Sequence, residues 1–166
     1  RAWTRGEEGA LAAYPPPEMA VADLTSLALE LAQWGSDDLP FLTPPPAPAL
    51  AEARALLADL GALKAGRITG HGRALAALPL HPRLGHMLLQ AGPTAAPLAA
   101  LLAERDPLRG APADLNLRLV ALRDARGFER DHPYPVSHTA VQRIRDEGKR
   151  LARALPQGIE DAGLSP

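Results

Sequence analysis

The chain has no cysteine among its 166 residues. That excludes disulfides, thiolate-held zinc and cysteine nucleophiles, and it fits a reducing, cytoplasmic setting. Strand formers are scarce too. Ile and Val together number 7, and Phe, Tyr and Trp only 6. A sheet-rich fold needs such residues to fill its pleated faces, so no β-sandwich, barrel or large parallel sheet is expected. There is no run of about 18 apolar residues, so no membrane span and no membrane partner is expected. Neither an initial Met nor a signal-peptide pattern is present, so the chain is expected to start inside a longer protein or after processing.

What is abundant points to short helices. Ala contributes 33 residues and Leu 29, against 18 Pro. Proline is tolerated between helices and in first turns, where its missing N–H costs nothing. Net charge is −1 but unevenly spread. Residues 1–60 carry 3 basic and 9 acidic side chains, and residues 61–166 carry 15 and 10. Sixteen of the 18 cations are Arg, an enrichment that genomic base composition accounts for by itself and that also suits bidentate phosphate contacts.

Along the chain, residues 1–17 read as an incoming segment with a short helical pattern at Glu7–Ala13 and then Pro15, Pro16 and Pro17. A helix is predicted over 22–34, with Leu24, Leu27, Ala28, Leu31 and Trp34 at helical spacing and Gly35 as its stop. A Pro-rich linker with Asp37, Asp38 and Phe41 follows. A second helix is predicted over 49–60, on Leu50, Ala53, Leu56, Leu57 and Leu60. Leu63 and Ile68 flank a turn at Lys64–Arg67, which reads as a small β-hairpin. Thr69 can cap a helix over 70–78, Pro79 stops it, and Pro82 starts another over 82–90. Helix, helix, hairpin, helix matches a winged-helix arrangement.

Three further helices are predicted. The first, capped by Thr94, spans 96–105. The second, capped by Asp114, spans 115–126 with Leu115, Leu119 and Leu122 on one stripe. The third, capped by Ser137, runs to Leu155. On the last, Val141, Ile144, Leu151 and Leu155 fall within about 80° of arc, and Lys149, Arg150 and Arg153 project from the far side. The second half thus reads as a helical bundle with one basic face, cut short at the tail.

Catalytic patterns are absent. There is no G-x-x-x-x-G-K-[ST] phosphate loop, and Gly66, Gly70 and Gly72 lack the strand before and lysine after that a nucleotide cradle requires. His81 and His86 would stand about 140° apart on a helix, so they cannot jointly hold a metal. Glu7–Glu8 and Asp37–Asp38 sit in polar stretches without apolar walls to shift a pKa. No catalytic residue and no metal site is expected.

One run is specific. Leu60-Gly61-Ala62-Leu63, Gly66-Arg67-Ile68-Thr69, His71-Gly72-Arg73 and Leu78-Pro79-Leu80-His81-Pro82-Arg83-Leu84 together resemble the winged-helix region of DEAH-box helicases. Arg1–Thr4 resembles the end of the strand leaving the second RecA-like domain. Pro17-Glu18-Met19 with Asp23-Leu24, and Phe41–Pro46, resemble its further motifs, with Thr43 where the family often has Asp. His71, His81–Leu84 and Glu104–Leu108 are similar to the bacterial HrpB-type branch of these ATP-dependent helicases.

The resemblance implies a mainly α fold: a winged helix with a short hairpin wing, then the start of a helical ratchet-like (helicase-associated) domain. It implies an incoming segment at 1–20, the winged helix at 21–91 and the truncated helical domain at 92–166. It implies partnership with single-stranded nucleic acid, RNA before DNA, and with RecA-like and OB-fold domains. ATP and Mg belong to the longer protein, whose ATPase motifs are missing here. In that context Arg118, Arg123, Arg143, Arg150 and Arg153 are candidates for backbone contact, the alternative for each being a solvated or ion-paired surface Arg. Arg73 is expected to hold domains together, beside His71, Gly72, Pro79, Pro82 and Arg83 as interdomain or structural positions. Trp3, Trp34 and Phe41 read as core, which leaves no support for base reading. The other readings are a stand-alone winged-helix DNA-binding regulator and a protein-interaction scaffold.

Overall fold

The structure, a computed structural model, describes residues 23–35 and 45–159. The incoming segment 1–20 with Trp3, residues 36–44 of the Pro-rich linker expected over 36–48, with Phe41 and Thr43, and the tail 160–166 lie outside the described residues. The helices are α1 (Thr25–Trp34) and α2 (Ala47–Asp59), then α3 (Gly70–Ala76), α4 (Pro82–Ala91) and α5 (Ala96–Ala103), and finally α6 (Leu115–Arg123), α7 (Ala125–Asp131) and α8 (His138–Ala154). Between α2 and α3 stands the antiparallel hairpin of β1 (Leu63–Lys64) and β2 (Arg67–Ile68), the one sheet among the described residues. A winged helix with a short wing followed by a helical bundle is therefore the fold.

Local chemistry accounts for the first half. Leu24, at the cap position of α1, and Ala28 and Leu31 within it are buried, and Gly35 ends the helix in the left-handed region, its N–H bonded to Leu31 O. Trp34 departs from the expected core: it is 69% exposed. It stands about 60° around the helix from Leu31, and at the last helical residue that is enough to leave the packed stripe. In the hairpin, Leu63 faces Ile68 and Lys64 faces Arg67. Both turn residues, Ala65 (φ 50°) and Gly66 (φ 75°), have positive φ, the two-residue turn that matches strand twist. Thr69 caps α3 by accepting from Gly72 N at 3.0 Å, and its hydroxyl donates to Gly61 O at 2.6 Å. Position 72 has no room for a side chain. A Cβ there would collide with Ala62 O and lie 2.8 Å from Ile68 Cγ1, so α3 lies directly on the hairpin. Pro82, fully buried, occupies the first turn of α4.

In the second half α8 packs along α5. Val141, Ile144 and Leu151 are buried, and at Gly148 a Cβ would lie 3.3 Å from Pro97 Cα, so the two backbones approach closely. Three expectations are corrected here. The single helix predicted over 115–126 breaks at Asp124, whose carboxylate accepts from Gly127 N at 3.0 Å and starts α7. That helix buries Phe128, whose ring stacks on His132 at 4.2 Å. The inward face of α6 carries Arg118, Ala121 and Leu122, with Leu115 exposed. Thr94 is not the cap of α5, which follows a 3-10 turn, Pro93–Ala95, with Ala95 at the cap position.

Candidate nucleic-acid interface

Helix α8 is the longest element among the described residues, 17 residues, started by Ser137, whose hydroxyl accepts from Ala140 N at 3.3 Å. Arg143, Lys149, Arg150 and Arg153 are exposed on it. Arg143 and Arg150 are seven residues apart, which is about 10 Å of rise and only about 20° of rotation. Both line one open groove of about 810 Å³ along α8, with Glu104, Gln142 and Asp146. Two of the three acids there have internal partners: Asp146 accepts from Gln142 Nε2 at 2.9 Å, and Glu147 pairs with Arg150 at 2.6 Å. The Arg150 side chain is 72% exposed, and an ion pair this open contributes at most about 1 kcal/mol. Lys149 does not share this groove. It lines a separate apolar one with Pro97, Leu122 and Ile144.

Arg118 is the clear correction among the candidates. It is 9% exposed. Its Nε and Nη2 donate to Asp106 at 3.2 and 2.6 Å, and Nη1 donates to Pro112 O and, at 2.9 Å, to Asp114 O. The side chain ties the 106–114 loop onto α6 and is not presented to a ligand. Asp106 in turn is held below the ordinary carboxylate range, first by this bond to Arg118. Arg123 is exposed at the end of α6, a different element from the α8 groove.

Arg145, outside the five candidate arginines, has a structural role. Its Nε donates to Leu122 O at 2.7 Å and its Nη2 to Arg123 O at 3.1 Å, so it caps the C-terminus of α6 from α8. A signal was available. Arg145 falls about 80° from the middle of the α8 apolar stripe, against about 120° or more for Arg143, Lys149, Arg150 and Arg153.

In the winged-helix half the named residues form two hydrogen-bonded pairs. His71 Nε2 lies 2.8 Å from His86 Nδ1, with the rings edge-on at 5.0 Å. Burial, and then the charge of His86, push the His71 pKa below its ordinary value. His81 joins Asp23 instead. Its Nδ1 accepts from Arg83 N at 3.1 Å, which leaves Nε2–H to donate to Asp23 Oδ2 at 2.7 Å. Asp23 also accepts from Thr25 N at 2.8 Å and from the Thr25 hydroxyl. The hydroxyl is the foremost cause of a carboxyl pKa below the ordinary range. The starts of α1 and α4 are thereby fastened together. Gly72 is buried at the hairpin contact. Arg73 and Arg83 are exposed, and Pro79 is exposed beyond the end of α3. Arg73 shares with Arg67 a cavity of about 470 Å³ beside Leu31 and Ile68. As a groove-reading helix α3 offers Arg73 alone, because His71 turns to His86.

Among the described residues no three His, Asp or Glu side chains are grouped to hold a metal. With no phosphate loop in the sequence, these residues do not fit ATP or Mg.

No family model matches the chain. The ATP-dependent RNA helicase HrpB of Escherichia coli is 40% identical over 114 residues, covering 64% of this chain and 14% of that protein. A human protein, "Probable ATP-dependent RNA helicase DHX34", is 36% identical over 93 residues, covering 54% of this chain and 8% of its own length. The crystal structure of the E. coli DExH-box NTPase HrpB superposes with a TM-score of 0.64 at 31% identity, covering 96% of this chain and 18% of that one. The chain thus spans about a seventh of the length of the E. coli protein. In sequence and in fold, this chain is a homologue of a segment of the HrpB-type DEAH-box helicases.

Proposed function

We propose that the chain is an accessory region of an ATP-dependent RNA helicase, framing the single-strand channel and coupling the RecA-like motor to translocation. In this reading residues 1–20 lead in from the second RecA-like domain, 21–91 form the winged helix and 92–166 begin the ratchet-like domain. ATP and Mg act in the longer protein, in the cytoplasm, and Arg73 faces a neighbouring domain of that protein, a RecA-like or OB-fold one. The observation that supports it most is the groove along α8, where Arg143 and Arg150 repeat on one line. Two cations about 10 Å apart suit a strand's phosphates and carry no base information.

Titration of the chain with labelled single-stranded RNA and with duplex DNA, at low and moderate salt, tests this. The expected result is weak single-strand binding that falls steeply with salt and is lost in R143E/R150E. Tight, sequence-dependent duplex binding would refute it in favour of a regulator. In the longer protein, R150E/R153E is expected to lower strand-stimulated ATP turnover more than basal turnover, and equal effects would count against a track role.

A further inference from the structure

The α8 groove does not stop at Arg143. Glu104, Thr139 and Arg143 also line an adjoining cavity of about 330 Å³ at the start of the helix. Its opposite wall is the loop after α5, which carries Arg105 and Arg109. That wall is fixed in place. Leu108 and Val136 form an antiparallel bridge, Arg109 N donates to Pro135 O at 3.2 Å, and Ser137 N donates to Pro107 O at 2.8 Å. Two arginines are thus brought onto a third that lies more than thirty positions later in the chain.

The charges around this cavity are unbalanced. Among the described residues, no guanidinium of Arg105, Arg109 or Arg143 has a hydrogen-bond or ion-pair partner. Two carboxylates border the space. Asp106 is neutralised by Arg118, which engages both of its oxygens. Glu104 is the remaining one, a single negative charge against three positive. Like charges gathered at one cavity repel, and an anion with several acceptor oxygens relieves the repulsion while engaging planar N–H forks. The volume, equal to about ten waters, admits a phosphodiester with part of its sugar.

We infer that this cavity is a cradle for one backbone phosphate of a single nucleic-acid strand, held by Arg105, Arg109 and Arg143. The inference rests on the strand-binding reading above and adds to it an anchor formed outside α8. Arg143 belongs to both the groove and the cradle, which makes the cradle the point where a strand would pass from the loop wall onto the helix.

The test is equilibrium binding of fluorescent oligouridine RNA by the intact chain across a salt series from about 50 to about 200 mM. Each single-strand phosphate contact contributes about 0.7 to the salt slope. R105Q/R109Q is expected to lower the slope by about 0.7, which is a loss of about threefold in the salt effect over that range. Adding R143Q should change the slope no further, because all three residues share one phosphate. R150Q should remove a separate increment. The three sites are exposed, so unchanged thermal melting checks the fold. RNA binding that keeps the wild-type slope in R105Q/R109Q would overturn the cradle and leave the strand-binding reading intact. Absence of RNA binding by the wild-type chain would overturn both. An oligoglutamate that displaces RNA as well as RNA of equal charge would overturn the phosphate assignment in favour of an acidic peptide.

Discussion

Replacing Gly72 by Ala should destabilise the chain, although helix propensity taken alone predicts the reverse. Gly72 lies inside α3, where Ala is intrinsically better by about 1 kcal/mol. The added Cβ, however, would meet Ala62 O and lie 2.8 Å from Ile68 Cγ1. The Ala62 carbonyl cannot simply give way, because it accepts Thr69 N at 2.9 Å, and Thr69 is itself the cap of α3. Relief therefore requires lifting α3 from the hairpin. Overpacking of this kind costs about 1–3 kcal/mol, and a backbone obstacle places it at the upper end. After the propensity gain is subtracted, the net loss is about 2 kcal/mol, or about 4–8 °C in Tm for a chain of this size. Thermal unfolding followed by circular dichroism measures it. Gly70→Ala is the control, since nothing lies within 4 Å of a Cβ there, and it should be neutral or slightly stabilising. A Gly72→Ala chain as stable as wild type would refute the claim that the wing and α3 are held by direct backbone contact.

Arg118→Ala should cost about 2–3 kcal/mol, because Asp106 and two carbonyls lose their donors together, whereas Arg153→Ala should stay within about 0.5 kcal/mol; urea unfolding of the two variants measures both. Ala65→Gly should stabilise the hairpin by about 0.5–1 kcal/mol, since Ala65 sits at φ 50°, and a lower Tm would contradict the turn geometry. The His71 pKa is depressed in the folded chain, so as pH falls through the ordinary histidine value the unfolded chain takes up the proton first. Its contribution is therefore present above pH of about 6.5 and lost on acidification below it. His71→Gln should flatten that part of the stability–pH curve. The Asp106 pKa is lowered instead by Arg118. Its contribution is present above about pH 4 and is lost as pH falls further, a loss that Asp106→Asn should remove.

Much of this molecule was readable from local order. Apolar spacing, the capping residues Thr69, Asp114 and Ser137, the turn at Ala65–Gly66 and Pro82 each act within a few residues, so the chain order alone announces helices, wing and bundle. The outward placing of Arg143, Arg150 and Arg153 follows from the same periodicity. The tertiary structure decided which charges are available. Asp23 and His81 were both legible as motif residues, yet their bond spans 58 positions. Arg118 and Arg150 read alike as helix arginines, and only packing separates them, one sealed onto Asp106 beneath a loop and the other open to solvent. Arg105 and Arg109 gained a role only when the Leu108–Val136 bridge brought their loop to α8. Periodicity describes one element at a time, whereas a binding surface depends on which elements meet.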